Sequence, residues 1–170
     1  MLDSDHTAFI QSGVSISLAA CGPDRLPSMS RGLGCKLIDG GHQVGIFIKR
    51  SQSVDLLKNI EHSGRVANVF SLPSSNRTVQ LKGIDAHAVP FDTADLPLVE
   101  AHIADFLREV VPMGMSEKVV STMLAFSTDD LVTVVYSPSA AFSQTPGPKA
   151  GQPIAKAPSP ESSRAPSVTP

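Results

Sequence analysis

From residue 14 onward, apolar residues fall on every second position of the chain. "VSISLAAC" (14–21) sets Val, Ile, Leu and Ala against intervening serines, the two-residue period of a strand with one buried face. "GPDRLP" (22–27) is turn chemistry. "SMSRGLGCKLI" (28–38) predicts a second strand, "DGG" (39–41) a tight turn and "QVGIFI" (43–48) a third strand. At "SQSVDLLKNIEHSG" (51–64) the apolar spacing changes to three and four, with Val54, Leu56, Leu57 and Ile60 on one side. That is a helix, with Ser51 or Ser53 as N-cap and Gly64 as the residue that ends it.

Alternation returns in "RVANVFSL" (65–72) and "TVQLKGIDAHAV" (78–89), which the turn-rich "PSSN" separates. "DLPLVEAHIADFLREVVP" (95–112) and "SEKVVSTMLAF" (116–126) have helical spacing, and "DLVTVVYSPSAAF" (130–142) supplies a sixth strand. Strands joined mostly as hairpins argue for a mainly β, six-stranded antiparallel barrel with flanking helices, not a doubly wound sheet. Glycines inside "RGLGCK", "VGIF" and "LKGID" suit the bends that close a small barrel.

Composition divides the chain. Residues 1–147 predict a domain and 148–170 a Pro-, Ser- and Ala-rich tail. "SQTPGPKAG" reads as a semi-ordered exit, and 152–170 as disordered, because so few large apolar residues cannot offset the entropy of ordering. Net charge is −2, which speaks against nucleic acid as a partner. No apolar run reaches the roughly 18 to 20 residues of a membrane span, and the N-terminus lacks a signal-peptide pattern. The expectation is therefore a cytoplasmic protein without a membrane partner. Cys21 and Cys35 have no metal-binding spacing, so the reading is two reduced thiols and no metal.

Candidate chemistry lies in three clusters. Arg31 and Lys36 sit five apart on one strand with Gly32 and Gly34 between them. A regular strand would send them to opposite faces, whereas a bulge at either glycine would aim both at one anion. The plainer alternative is that one of them simply points to solvent. "KRSQS" (49–53) runs a basic strand end into a helix start, where backbone N–H groups favour anions. In "SSNRTVQLKG" (74–83), Gln80 and Lys82 share a face, equally consistent with a half-exposed strand. Together the clusters suit one small phosphorylated ligand.

The ordered segments P-x-x-x-R-x-x-x-x-K (Pro27, Arg31, Lys36), "VGIFI", S-x-x-L-L-x-N-I-x-x-x-x-R-V-A-N-V-F (53–70) and "RTVQLKGIDA" (77–86) resemble the pyridoxamine 5′-phosphate oxidase-like, FMN-binding split-barrel superfamily. The resemblance covers about residues 8–90. It implies a homodimer with FMN at the interface and its phosphate on Arg31 and Lys36. It also implies flavin contacts from Ile48, Lys49, Ser51, Ser53, Arg77, Thr78 and Gln80. The activity implied is that of an FMN-dependent oxidoreductase on an unidentified small molecule. The alternatives are a non-catalytic flavin- or haem-binding carrier or sensor, and a deazaflavin in place of FMN. The founding enzyme's Trp- and Arg-containing end has no counterpart, since the chain contains no Trp. That departure speaks against the pyridoxamine phosphate oxidase reaction itself. His87 reads as a satisfied or exposed strand histidine and His102 as a helix-surface residue. No catalytic residue is assigned.

Overall fold

The computed structural model describes residues 2–156. Its strands are β1 (Ser15–Cys21), β2 (Pro27–Ile38), β3 (Gln43–Lys49), β4 (Val66–Ser71), β5 (Thr78–Gly83), β6 (His87–Pro90), β7 (Leu131–Tyr136), β8 (Ala140–Ser143) and β9 (Pro153–Lys156). The helices are α1 (Ser4–Ile10), α2 (Val54–Ser63), α3 (Leu96–Val110) and α4 (Glu117–Leu124). All strands pair antiparallel in one sheet, in the order β6-β7-β3-β2-β1-β4-β5-β8-β9.

The sheet curls until its distant members meet. Asn68 on β4 donates to the Tyr136 hydroxyl on β7 at 3.1 Å. A Cβ at Gly83 of β5 would lie 2.6 Å from the Tyr136 ring, so glycine is required for that approach. Residues 137–139 carry the chain from β7 to β8, from one flank of the sheet to the other. The Ser137 amide donates to the Asp85 carboxylate at 2.8 Å and the Ser139 amide to the Lys82 carbonyl at 2.7 Å. The interior is filled by Ile16, Leu18, Ile46, Ile48, Phe70, Leu81, Val134 and their neighbours, and α2 contributes Leu56 and Ile60.

The expected barrel is therefore found as an open antiparallel sheet with flanking helices, but with nine strands among the described residues instead of six. Two of the expected strands are each broken in two, at 84–86 and 137–139, where the chain changes flank. The third addition is β9. The tail expected to be disordered from 152 pairs through residues 153–156 with β8, and Ile154 packs against the barrel core. Ladder hydrogen bonds there substitute for the apolar burial the composition lacks. Residues 157–170 lie outside the described residues. No helix among the described residues is long and apolar enough to cross a membrane.

The glycines of β2 act as the sequence suggested. Gly32 pairs with Ile48 but Cys35 with Ile46, so the bulge lies at Leu33 and Gly34, and Gly34 takes φ +145°. A Cβ on Gly32 would strike Ile16 in the interior, so Gly32 faces inward and Arg31 outward. Beyond the bulge Cys35 faces inward, which leaves Lys36 on the same outer face as Arg31.

A second apolar layer covers part of that outer face. Leu33, Phe47 and Leu131 from the sheet pack with Val99, Phe106 and Val110 of α3 and Val120 and Leu124 of α4. Phe47 and Phe91 meet edge to face at 5.5 Å. Gly34 lies directly under α3, where a Cβ would meet His102 and Phe47, both at 3.3 Å.

Candidate functional site

The helical pair α3–α4 divides the outer face of the sheet. It covers β3, β7 and the second half of β2, and leaves β1, β4, β5, β8 and the first half of β2 without a covering helix. On the bare part the register aligns Arg31, Ser17, Val69, Gln80 and Phe142 in one row across five strands. The next row is Met29, Ala19, Ala67, Lys82 and Ala140. The middle of this face is built of small side chains, with Ser15 and Ser71 completing it. Such a surface lets a flat ligand or a second sheet approach closely.

The residues expected at a flavin fall into four groups. Arg31, Gln80 and Thr78 lie on the bare face. Arg31 is exposed and donates to the Ser15 hydroxyl at 3.2 Å, and among the described residues no carboxylate lies within ion-pair distance of it. Gln80 accepts from Gln144 at 3.3 Å. Thr78 shares a 2.8 Å hydrogen bond with Ser71.

Lys36 and Lys49 form the second group, and the helical pair engages both. The Lys36 ammonium lies 2.5 Å from the Asp95 carboxylate just before α3. Lys49 donates to the carbonyls of Met123 and Ala125 at 3.4 and 3.1 Å, at the end of α4, a favourable place for a cation. Neither lysine faces the bare surface in this arrangement.

The third group is Ile48, Ser51 and Ser53, at the plugged end of the barrel. Ile48 is fully buried in the core. Ser51 donates its amide and hydroxyl to Asp130 at 2.8 and 2.6 Å, and these bonds hold the Asp130 carboxyl below the usual carboxylate range. Ser53 precedes α2, is 2% exposed, and its hydroxyl has no partner. Nearby, the inward-facing Ser30 donates to the Gln52 carbonyl at 3.3 Å. Last is Arg77, which turns away from the sheet. It stacks on Phe9 at 4.3 Å and pairs with Asp5 at 2.5 Å, so it anchors α1.

The histidines sit differently from expectation. His102 is not on the surface: it is 7% exposed, on the side of α3 that meets Gly34. Burial lowers its pKa to about 4, the nearby Arg31 charge adds to that, and Asp105 and the Ser12 backbone oppose it. His87 lies on edge strand β6 beside a cavity of about 490 Å³ against α2, which Arg50, Lys58 and Glu61 also line. That groove is separate from the bare face. Cys21 and Cys35 are both free thiols. Burial pushes the Cys35 thiol up to about 12, and it donates to the Ile10 carbonyl. Asp3, Asp5 and His6 lie close enough to share an ion, but Asp3 bonds His6 and Asp5 bonds Arg77.

Sequence reading missed Ser15, Ser17 and Asp95. The serines were visible as the polar half of the alternation in β1. The partner of Lys36 lies 59 residues further along the chain, and no local spacing announces it.

No protein-family model matches the chain, and no curated protein matches it in sequence. Its fold does match solved structures. A conserved hypothetical protein, Rv2991, from Mycobacterium tuberculosis is 22% identical over 84% of each chain, with a TM-score of 0.51. An F420 reductase is 16% identical, covering 82% of this chain and 98% of its own, with a TM-score of 0.53. A candidate pyridoxamine 5′-phosphate oxidase from Lactobacillus delbrueckii is 13% identical, covering 83% and 93%, with a TM-score of 0.52. The chain thus shares the fold of the pyridoxamine 5′-phosphate oxidase-like proteins.

Proposed function

We propose that this chain, having the fold of the pyridoxamine 5′-phosphate oxidase-like split barrels, is an FMN- or deazaflavin-binding protein and an oxidoreductase on a small molecule. Two copies pack on the bare sheet face with the cofactor between them. Its phosphate rests on Arg31. The observation that carries this reading is the bare face around Ser15, Ser17, Ala19, Ala67 and Ser71, small side chains with the Arg31 guanidinium at one edge and, among the described residues, no carboxylate within ion-pair distance of it. The F420 reductase and the candidate oxidase among the structural neighbours support a flavin-type ligand.

The residues present fit such a group at Arg31. A fixed guanidinium offers a bidentate donor pair to phosphate, and the Ser15 hydroxyl orients it. Ser17, Ala19 and Ala67 leave room for a flat ring beside the sheet. Gln80 and Thr78 offer polar atoms further along. When bound, a flavin or deazaflavin supplies the hydride chemistry; the residues of this chain bind, orient and shield it.

The test is a visible absorption spectrum after incubation with FMN or F420 and desalting. Retained absorption with a defined stoichiometry is expected. Arg31→Ala should weaken binding by about 1.5 to 3 kcal/mol while the melting temperature stays put. A lowered melting temperature with cofactor affinity unchanged in the folded variant would make Arg31 a structural residue and remove the site. A protein that retains neither cofactor ends the reading.

A further inference from the structure

We infer that the groove between α2 and the free edge of β6 binds a short peptide with unblocked ends, its carboxylate toward Arg50 and its ammonium toward Glu61. The groove is separate from the bare face, so this inference stands apart from the flavin-type reading.

Three features converge there. The first is a free strand edge. β6 is the outermost strand of the sheet and pairs with β7 on one side only. The Ala86 amide turns away from β7 and donates to the Gly64 carbonyl at 2.9 Å. By the two-residue alternation of a strand, Ala88 turns its amide and carbonyl to that same open side, where the cavity of about 490 Å³ lies. An extended peptide adds to such an edge through main-chain hydrogen bonds. Pro90, two residues further on, has no amide to offer, which confines the pairing to a short ligand.

The second feature is opposite charge at the two ends of the groove. Lys49 pairs with Leu131 and Pro90 with Val132, so Arg50, the residue after Lys49, stands at the Pro90 end. Gly64 and Ala86 close the other end. Glu61 lies one turn before Gly64, beside the carbonyl end of α2, where a positive charge is favoured. Among the described residues neither Arg50 nor Glu61 has an opposite charge within ion-pair distance. Asp130, whose carboxyl the Arg50 charge helps to hold down, is bonded to Ser51. Lys58 reaches Asp55 only at 3.9 Å, with both side chains largely in solvent, a contact of little strength. His87 adds an acceptor: a carbonyl can only accept, so its Nδ1–H donates to the Asp85 carbonyl at 3.0 Å and the neutral ring keeps Nε2 unprotonated. Unpaired charges of both signs along one groove suit a zwitterion, since Glu61 would repel a simple anion.

The third feature is length. Leu57, Ile60 and Ala86 make an apolar floor. From Leu57 to Gly64 the helix rises about 10 Å, and three extended residues span about 10 Å. A tripeptide reaches from one charged end to the other; a single amino acid does not.

The probe is the tripeptide Ala-Leu-Ala, titrated into the full chain by calorimetry. One peptide per chain is expected. Acetylating its amine or amidating its carboxylate should each weaken binding about fivefold, as for a partly exposed ion pair. Arg50→Gln should weaken the free peptide by the same factor and remove the penalty of amidation. Glu61→Gln should do the same for acetylation. Both side chains are exposed, so both variants should melt as wild type does, and if one fails to fold the other carries the test. Absence of binding, or binding that neither variant changes, overturns the inference. A doubly blocked peptide that binds as tightly as the free one would make the ligand an internal chain segment and overturn the assignment of its ends. Free leucine binding as tightly as the tripeptide would overturn its length.

Discussion

The outer face of one sheet carries two different surfaces. Under α3 and α4 the outward positions are Leu33, Phe47 and Leu131, and they form a second core. On the strands beyond Arg31 the same outward positions are Ser15, Ser17, Ala19, Ala67, Val69 and Ser71, half-buried by their own neighbours and covered by no helix. The division falls within β2, at the bulge. The difference teaches that the helical pair does more than stabilise. It engages Lys36 and Lys49 and leaves Arg31 open. The covered side carries large apolar side chains, and the middle of the bare side carries small ones.

That contrast can be broken most forcefully on the covered side. Phe47→Ala should cost about 3 to 5 kcal/mol, the range for deleting a fully buried aromatic. Denaturant unfolding measures it, and a loss below about 1 kcal/mol would mean that α3 and α4 are only loosely seated. The next effect depends on pH. The His102 imidazole has a folded-state pKa of about 4 against an ordinary 6.5. The unfolded chain therefore binds its proton first as the pH falls. Stability due to neutral His102 is complete above about pH 6.5 and is lost progressively down to about pH 4, by roughly 3 kcal/mol in all. His102→Gln should flatten that part of the stability–pH curve. An unchanged slope would place the titration elsewhere.

The smallest effect on folding belongs to the bare side. Val69→Arg lies at the middle of the open row and should change stability by less than about 0.5 kcal/mol. If two copies meet on this face, the same change should convert a dimer to a monomer in sedimentation. A dimer that persists would move the interface to another surface.

Much of this was legible in the sequence because it is local. The period-two runs gave β1 to β4 within a residue or two, and the glycine pair in "RGLGCK" announced a bulge that sets Arg31 and Lys36 on one face. Of the two serines offered as N-cap, Ser53 takes the position, though its side chain makes no capping bond, and the left-handed Gly64 ends α2 as expected. What was hidden depends on the sheet closing on itself. In residues 78–89 the alternation inverts its phase at Gly83–Ile84, a signal of the break that the single-strand reading passed over. The chain leaves β5 after Gly83, which packs on the Tyr136 ring, and Asp85 turns to the Ser137 amide. The break at 137–139 did have a signal, since "SPS" is turn chemistry inside an apolar run. The short α1 was missed: Asp3 caps it through the His6 amide, but seven residues show little periodicity. Of the candidate site, Arg31 could be read from its strand. The engagement of Lys36 and Lys49 could not, because both partners lie on a helical pair far along the chain.

The step from β7 to β8 has a consequence for the order of folding. Ser139 meets Lys82 across 57 residues and Tyr136 meets Asn68 across 68, so the barrel cannot shut until both ends of the sheet exist. Contacts so distant along the chain are slow to form. The turns of α3 and α4 need only near neighbours and can appear early. In such a sequence of events the helices are ready first and wait for their floor, and the contacts of Tyr136 and Ser139 with β4 and β5 come late.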